Sequence, residues 1–263
     1  MGTADADFSS RPSSARIYDA LLGGNHNFEA DREAAKRLLA MLPAAGEMAR
    51  ANRAFLNRAV QFMIEAGIRQ FLDIGSGIPT VGNVHEIAQR REPEAKVVYV
   101  DIDPVAVAHA GEILQHNPRA TVIQADMRFP EAILDHPEVR KLLDLTQPIG
   151  LLLVAMLHFV PDPDALTAVN RLLAALPAGS YVAISHGVSD TKADQAIAGV
   201  TALYRRTDVS TAAGRSRTEI LRFFGDAELV PPGLVWVHQW PEAPEGDSDP
   251  GDMAVVAAIA RIP

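Results

Sequence analysis

The sequence predicts an α/β fold: a mostly parallel sheet with a C-terminal antiparallel hairpin, preceded by an N-terminal helical extension. Three observations predict it. From Arg69 onward, short continuous apolar runs alternate with helical stretches, the pattern of a parallel sheet buried on both faces. Before that point apolar residues recur only at helical spacing. Near the end, two apolar runs are joined by an acidic Pro/Gly loop too short for a crossover helix, so those strands must pair antiparallel.

Taken in order, residues 1–14 are small and polar, with Pro12 among serines, and are expected to be loose. Ala15–Leu22 reads as a helix that stops at Gly23-Gly24. A second helix spans Glu29–Met41, ending before Pro43. A third runs from Ala45 to Ala66, with Phe55, Leu56, Ala59, Val60 and Met63 on one face and Gly67 closing it. Strands follow at Phe71–Ile74, Val97–Val100, Thr121–Gln124, Ile149–Val154 and Tyr181–Ile184. Helices are expected through Val84–Arg90, from Pro104 to Gln115 and over Asp164–Ala175. The closing pair is Leu234–Val237 and Met253–Ile259, around the loop 241–252. This grammar divides the chain into an N-terminal extension or lid, 1–66, and a ligand-binding domain, 67–263.

Composition narrows the function. With no cysteine, disulfides, thiolate catalysis and cysteine-ligated zinc are excluded. The eight histidines show no paired ligand spacing, so no metal site is expected. A formal charge of −9 argues against a broad footprint on nucleic acid, and Arg205-Arg206 and Arg215/Arg217 read as solvated loops. No apolar stretch reaches membrane-span length, no signal core opens the chain, and the Met-Gly start lacks the Ser or Thr of a myristoylation signal. A cytoplasmic location is the expectation.

The strongest motif is Asp73-Ile74-Gly75-Ser76-Gly77, on the turn leaving the first strand. Glycine lets a ligand approach the backbone, and a helix start offers free N–H groups. Thr80 stands where a dinucleotide fingerprint has its third glycine, which disfavours a pyrophosphate. A plain strand-to-helix turn would need no more. Asp101 ends the second strand, where a carboxylate can accept from both hydroxyls of a ribose; Asp103, before Pro104, is assigned to capping. Asp126-Met127 ends the third strand, where the carboxylate would accept from an adenine amine and the thioether cover the ring. A loop aspartate remains the alternative there. All three acids fall at carboxyl ends of successive strands, where such sheets bind ligands.

These motifs resemble the cofactor motifs of class I S-adenosylmethionine-dependent methyltransferases. More narrowly, the chain is similar to a bacterial methyltransferase family first catalogued as a domain of unknown function. The similarity is carried by Ala15–Asp19, Leu22–Phe28, Arg50–Arg53, Gln70–Thr80, Val98–Asp101, Leu157–Val160, Arg215–Arg217 and Phe223-Phe224. The resemblance implies a Rossmann-like class I methyltransferase sheet with S-adenosylmethionine as cofactor. Asp73, Gly75, Ser76, Gly77, Asp101, Ile102, Asp126 and Met127 would bind it.

A sulfonium methyl is already activated, so a general base is optional. His158, after the fourth strand, is the candidate base or acceptor-orienting residue, with His186 behind it; simple packing of His158 in the strand-end loop stays open. Tyr18, His26, Asn27, Phe28 and Arg53 are candidates for the acceptor pocket, against the alternative of helix packing and a turn. Tyr204, Arg205, Arg206 and Phe223, between the fifth and sixth strands, could add contacts. An amino-directed base methylase is disfavoured, because Val154-Ala155-Met156-Leu157 replaces an Asn/Asp-Pro-Pro-Tyr motif. A small-molecule acceptor is therefore expected. The alternatives are a non-catalytic S-adenosylmethionine-binding or regulatory protein and, more distantly, an NAD-dependent oxidoreductase.

Overall fold

The computed structural model describes residues 9–79, 82–189, 201–204, 207, 214–242 and 253–263. The apolar runs become strands β1 (Gln70–Ile74), β2 (Lys96–Asp101), β3 (Ala120–Gln124), β4 (Gly150–Val154) and β5 (Tyr181–Gly187), all parallel. Three more follow, β6 (Glu228–Leu229), β7 (Val235–Trp236) and β8 (Val255–Arg261). The order is β3-β2-β1-β4-β5-β8-β6, with β7 also on β8. β8 inserts antiparallel beside β5, Ile184 facing Ala258, and takes β6 and β7 on its other edge. The expected antiparallel pair therefore forms, and β8 is an interior strand of the sheet, between β5 and the short strands β6 and β7. β6 is only two exposed residues long, too short to leave a periodic signal.

Side chains alternate along each strand, so the sheet has two apolar faces. Leu72, Ile74, Leu151 and Leu153 pack with Val169 and Leu172 of α8 (Asp164–Ala175). Phe71, Val97 and Leu152 pack against α3 (Ala45–Glu65). The predicted α3 face of Phe55, Leu56, Ala59, Val60 and Met63 is the buried one, each large side chain contributing roughly 1.5–3 kcal/mol of gross apolar burial. Val84–Arg91 (α4) and Pro104–Leu114 (α5) follow β1 and β2, and short helices Pro130–Leu134 (α6) and Pro137–Leu142 (α7) precede β4. Arg217–Leu221 (α9) lies before β6.

Two N-terminal helices, α1 (Ser14–Leu21) and α2 (Glu29–Met41), form a separate apolar cluster with Ala45, Leu203 and Tyr204, above the carboxyl ends of the strands. The segment expected to be loose is tied down from Arg11 on. Arg11 donates to the Thr207 carbonyl, and Ser13 is buried as the α1 N-cap, its Oγ also donating to Asp103 at 2.6 Å. Arg215, expected in a solvated loop, is buried, and Arg217 lies over the Trp236 ring at 4.3 Å. Thr80, Arg205 and Arg206 lie outside the described residues. Among the described residues no helix is long and apolar enough to cross a membrane, and no cluster of three metal-ligating side chains occurs.

Candidate active site

β1 has β2 on one side and β4 on the other, so the chain order reverses there and a crevice opens at the carboxyl ends of the strands. A cavity of about 370 Å³ fills this crevice and continues under α1–α3. Asp73, Gly75, Ser76, Gly77, Asp101, Ile102, Asp126 and Met127 all border it.

The glycine turn is built differently from the expectation. Helix α4 begins only at Val84, so the turn is not a helix N-terminus. Its N–H groups are spent internally: Gly75 and Ser76 donate to the Val100 carbonyl and Gly77 donates to Asp101 Oδ2 at 2.7 Å. Its first glycine makes room for a neighbouring side chain. Gly75 has φ +72°, and a Cβ there would stand 2.6 Å from Met156 Cβ.

Asp101 is 8% exposed and braced from both sides, since Asp103 N–H donates to its Oδ1 at 2.9 Å. The two backbone amides fix the orientation of its carboxylate at the cavity. Asp103 caps α5 through Val105 N–H, as assigned from sequence. Its other oxygen accepts from Ser13 Oγ and from Arg16 Nη1 at 3.1 Å. Arg16 also pairs with buried Asp31 at 2.8 Å. Asp126 is engaged by Arg128; burial alone would raise its pKa, but the hydrogen bonds and charge of Arg128 hold it below the usual carboxylate range.

Asp73 is buried, which pushes its carboxyl up to about 7; the Arg53 charge opposes that shift and Asp101 reinforces it. Arg53 reaches the same cavity from α3, and its buried Nε has no partner. Asn52 and Tyr18, by contrast, stand in a closed chain. Ala155 N–H donates to Ser185 Oγ, Ser185 to Asn52 Oδ1, Asn52 Nδ2 to Tyr18 Oη, and Tyr18 to the Ala49 carbonyl. Burial holds the Tyr18 phenol above its ordinary range.

The Leu157–Phe159 turn after β4 carries His158 on the cavity wall, with Nδ1 unpartnered. Burial, His186 and Arg215 push this imidazole well below its ordinary range. His186 borders the cavity too, but its nitrogens are committed. Nε2 accepts from Arg215 Nη1 at 2.6 Å, so Nδ1 carries the proton and donates to the Gly187 carbonyl at 2.7 Å. Burial lowers it to about 3. It therefore has no free base to offer. Arg215 also donates to the Leu157 and Val160 carbonyls, clamping the turn that carries His158.

Of the N-terminal candidates, Tyr18 and Arg53 border the cavity. His26, Asn27 and Phe28 do not. His26 N–H and Asn27 Nδ2 bind Asp19 Oδ2, the His26 ring meets His109, and Phe28 lies under the Arg16 guanidinium at 5.2 Å. They build the Gly23-Gly24 turn and the start of α2 instead. Phe223 is core, beneath Arg215. Tyr204 does reach the cavity, together with Phe159, Met48 and Leu42, which the sequence reading did not single out. Only the helical periodicity of α3 marked Met48's neighbourhood; nothing local marks Phe159 beyond its place after β4.

The family pattern described as S-adenosyl methyltransferase matches residues 3–263. A Thermobifida fusca protein described as a candidate methyltransferase is 43% identical, with a TM-score of 0.89 over 97% of this chain and 96% of that one. A DUF574-family protein of Streptomyces avermitilis is 44% identical, with a TM-score of 0.89 over 97% and 99% of the two chains. Human N-acetylserotonin methyltransferase in complex with S-adenosylmethionine shares the fold at 15% identity, with a TM-score of 0.51 over 98% and 64%. A comparison with curated proteins gives no match.

Proposed function

The chain belongs to this S-adenosyl methyltransferase family, once a domain of unknown function, and is an S-adenosylmethionine-dependent methyltransferase; from that premise we propose that it methylates a small-molecule acceptor in the cavity above the strand ends. The observation that carries the proposal is the continuity of that cavity, which Asp73, Asp101 and Asp126 border together with Tyr18, His158 and Phe159. A chamber of this size under helices suits a small acceptor, and the charge of −9 speaks against a nucleic acid.

The residues present fit the cofactor. The unpartnered Arg53 Nε and the Asp73 and Asp101 carboxylates bordering the same cavity support this fit. Arg53 would take the carboxylate of the methionine end and Asp73 its ammonium. This moves Arg53 from the acceptor pocket to the cofactor. Asp101 would accept from the ribose hydroxyls. Ile102, half exposed at the cavity edge, and Met127 would cover the adenine, with Asp126 accepting from its amine. When bound, S-adenosylmethionine supplies a sulfonium methyl already activated for transfer. The protein's task is to align the acceptor and exclude water. His158 orients the acceptor; His186 and Arg215 hold the turn that carries it.

Calorimetric titration with S-adenosylmethionine tests the assignment. Asp101→Ala is expected to weaken binding about 100-fold, since charge-assisted hydrogen bonds contribute about 1.5–3 kcal/mol each. Unchanged affinity in that variant would remove the ribose assignment. Tight binding of NAD in its place would overturn the cofactor site as drawn.

A further inference from the structure

The cofactor assignment above leaves the rest of the cavity to the acceptor, and the chemistry of the cavity restricts what can bind. Most of its charged side chains are already engaged. Asp126 is held by Arg128, Asp101 by the Gly77 and Asp103 amides, and Asp73 and Arg53 belong to the cofactor's amino-acid end. Asp19 also borders the cavity. Its Oδ2 accepts from His26 N–H at 2.9 Å and Asn27 Nδ2 at 2.8 Å, while Oδ1 packs against Gly24, where a Cβ would stand 2.0 Å away, and accepts no hydrogen bond among the described residues. Asp19 is thus used in shaping the turn. Tyr18 and Asn52 are closed into their own hydrogen-bonded chain.

What remains is apolar and aromatic. Leu21, Leu42 and Met48 border the cavity. In its wall the His158 and Phe159 rings meet at 4.2 Å and Phe159 meets Tyr204 at 5.0 Å. Such a run of rings offers edge and face contacts to another ring. Beside these rings His158 Nδ1 has no hydrogen-bond partner among the described residues, and buried polar atoms are rarely left so.

We propose that the acceptor is an uncharged, largely apolar molecule with a planar ring and a hydroxyl group, the ring lying along Phe159 and Tyr204 and the hydroxyl meeting His158 Nδ1. A hydroxyl both donates and accepts, so it satisfies either tautomer of a neutral imidazole. A carboxylate or an ammonium would have to leave water for a wall of Leu42, Met48, Phe159 and Tyr204, and Arg215, the charge behind His186, is already paired with Asp162 at 3.1 Å. As the acceptor oxygen bonds to the methyl carbon, the carbon–sulfur bond breaks with its electron pair going to sulfur. The hydroxyl proton passes to His158 Nδ1 and then to solvent. Because the oxygen becomes strongly acidic as it is alkylated, a weakly basic imidazole suffices.

The inference rests on the cofactor reading, and the test separates the two. The full chain, saturated with S-adenosylhomocysteine, is titrated with 2-naphthol, 2-naphthoate and 2-naphthylmethylammonium, which share a ring system and differ in charge. Expected is binding of 2-naphthol at least tenfold tighter than either charged probe. Phe159→Ala and, separately, Tyr204→Leu should weaken 2-naphthol at least tenfold and leave S-adenosylhomocysteine affinity unchanged, which also certifies the fold. With S-adenosylmethionine, the methyl ether of 2-naphthol should form and be reduced in His158→Ala. Tighter binding of a charged probe, or no naphthyl binding while S-adenosylhomocysteine binds, overturns the acceptor class and leaves the cofactor site standing. Failure of S-adenosylhomocysteine itself to bind overturns the cofactor reading, and this inference with it.

Discussion

Arg53 and Asp73 face one cavity from different elements, a helix and a strand, and the Arg53 Nε has no hydrogen-bond partner among the described residues. Their joint function predicts a selective loss. Arg53→Met should weaken S-adenosylhomocysteine by roughly 10–100-fold, as charged hydrogen bonds are lost, and leave 5′-methylthioadenosine, which has no amino-acid end, unaffected. Asp73 adds a pH dependence. Burial raises its folded-state pKa to about 7, so without cofactor the carboxyl is half protonated near neutrality. Only the ionised form pairs with the ammonium. S-adenosylhomocysteine affinity should therefore rise about tenfold between pH 6 and pH 8 and be flat in Asp73→Asn. Stability without cofactor moves oppositely. The folded chain holds a proton the unfolded chain releases, so this group's contribution falls as pH rises from about 4 through 7.

The loop after β2 and the N-terminal helices act as one element. Arg16, 2% exposed, bridges Asp31 of α2 and Asp103 of the loop and also donates to the Arg11 carbonyl. Asp103 in turn orients its N–H on Asp101. Arg16→Met leaves two buried carboxylates without their counter-ion and is expected to cost about 3–5 kcal/mol in urea unfolding. Affinity for S-adenosylhomocysteine should fall in the same variant, because the Asp101 brace loosens. Arg16→Lys should recover little of either, since an ammonium cannot reproduce the guanidinium fork. A variant with full stability and full affinity would show the bridge to be ornamental.

At the scale of the whole molecule, α3 joins the extension to the sheet. Its apolar face is part of the sheet's own core, and Arg58 donates to the Val237 and Trp240 carbonyls near the C-terminus. Trp240 is buried against Phe55 and Phe62 of the same helix. The division at residue 66 suggested by the sequence grammar cuts through this packing. We expect a fragment of residues 67–263 to lack a cooperative unfolding transition in circular dichroism, since it would expose Phe71, Val97 and Trp240. A cooperative transition in that fragment would support the boundary at 66. The change from helical to alternating grammar marked where strands begin; it carried no information about which helix covers them.

Local chemistry was sufficient to place β1–β5, the apolar face of α3, the Asp103 cap and the antiparallel partner of β8, because each leaves a period or a spacing in the chain. The strand-end acids were legible for the same reason: parallel strands in one sheet bring their carboxyl ends together whatever lies between them. Tertiary structure alone decided the rest. It showed that the glycine turn's N–H groups are consumed by Val100 and Asp101, that His186 is closed off by Arg215, and that His26, Asn27 and Phe28 serve a turn. It also brought Phe159 and Tyr204 to one wall of the cavity. The physical reason is common to all of these. A side chain's type records what it can bond to, while neighbours 29 to 133 positions away determine which of those bonds remain free.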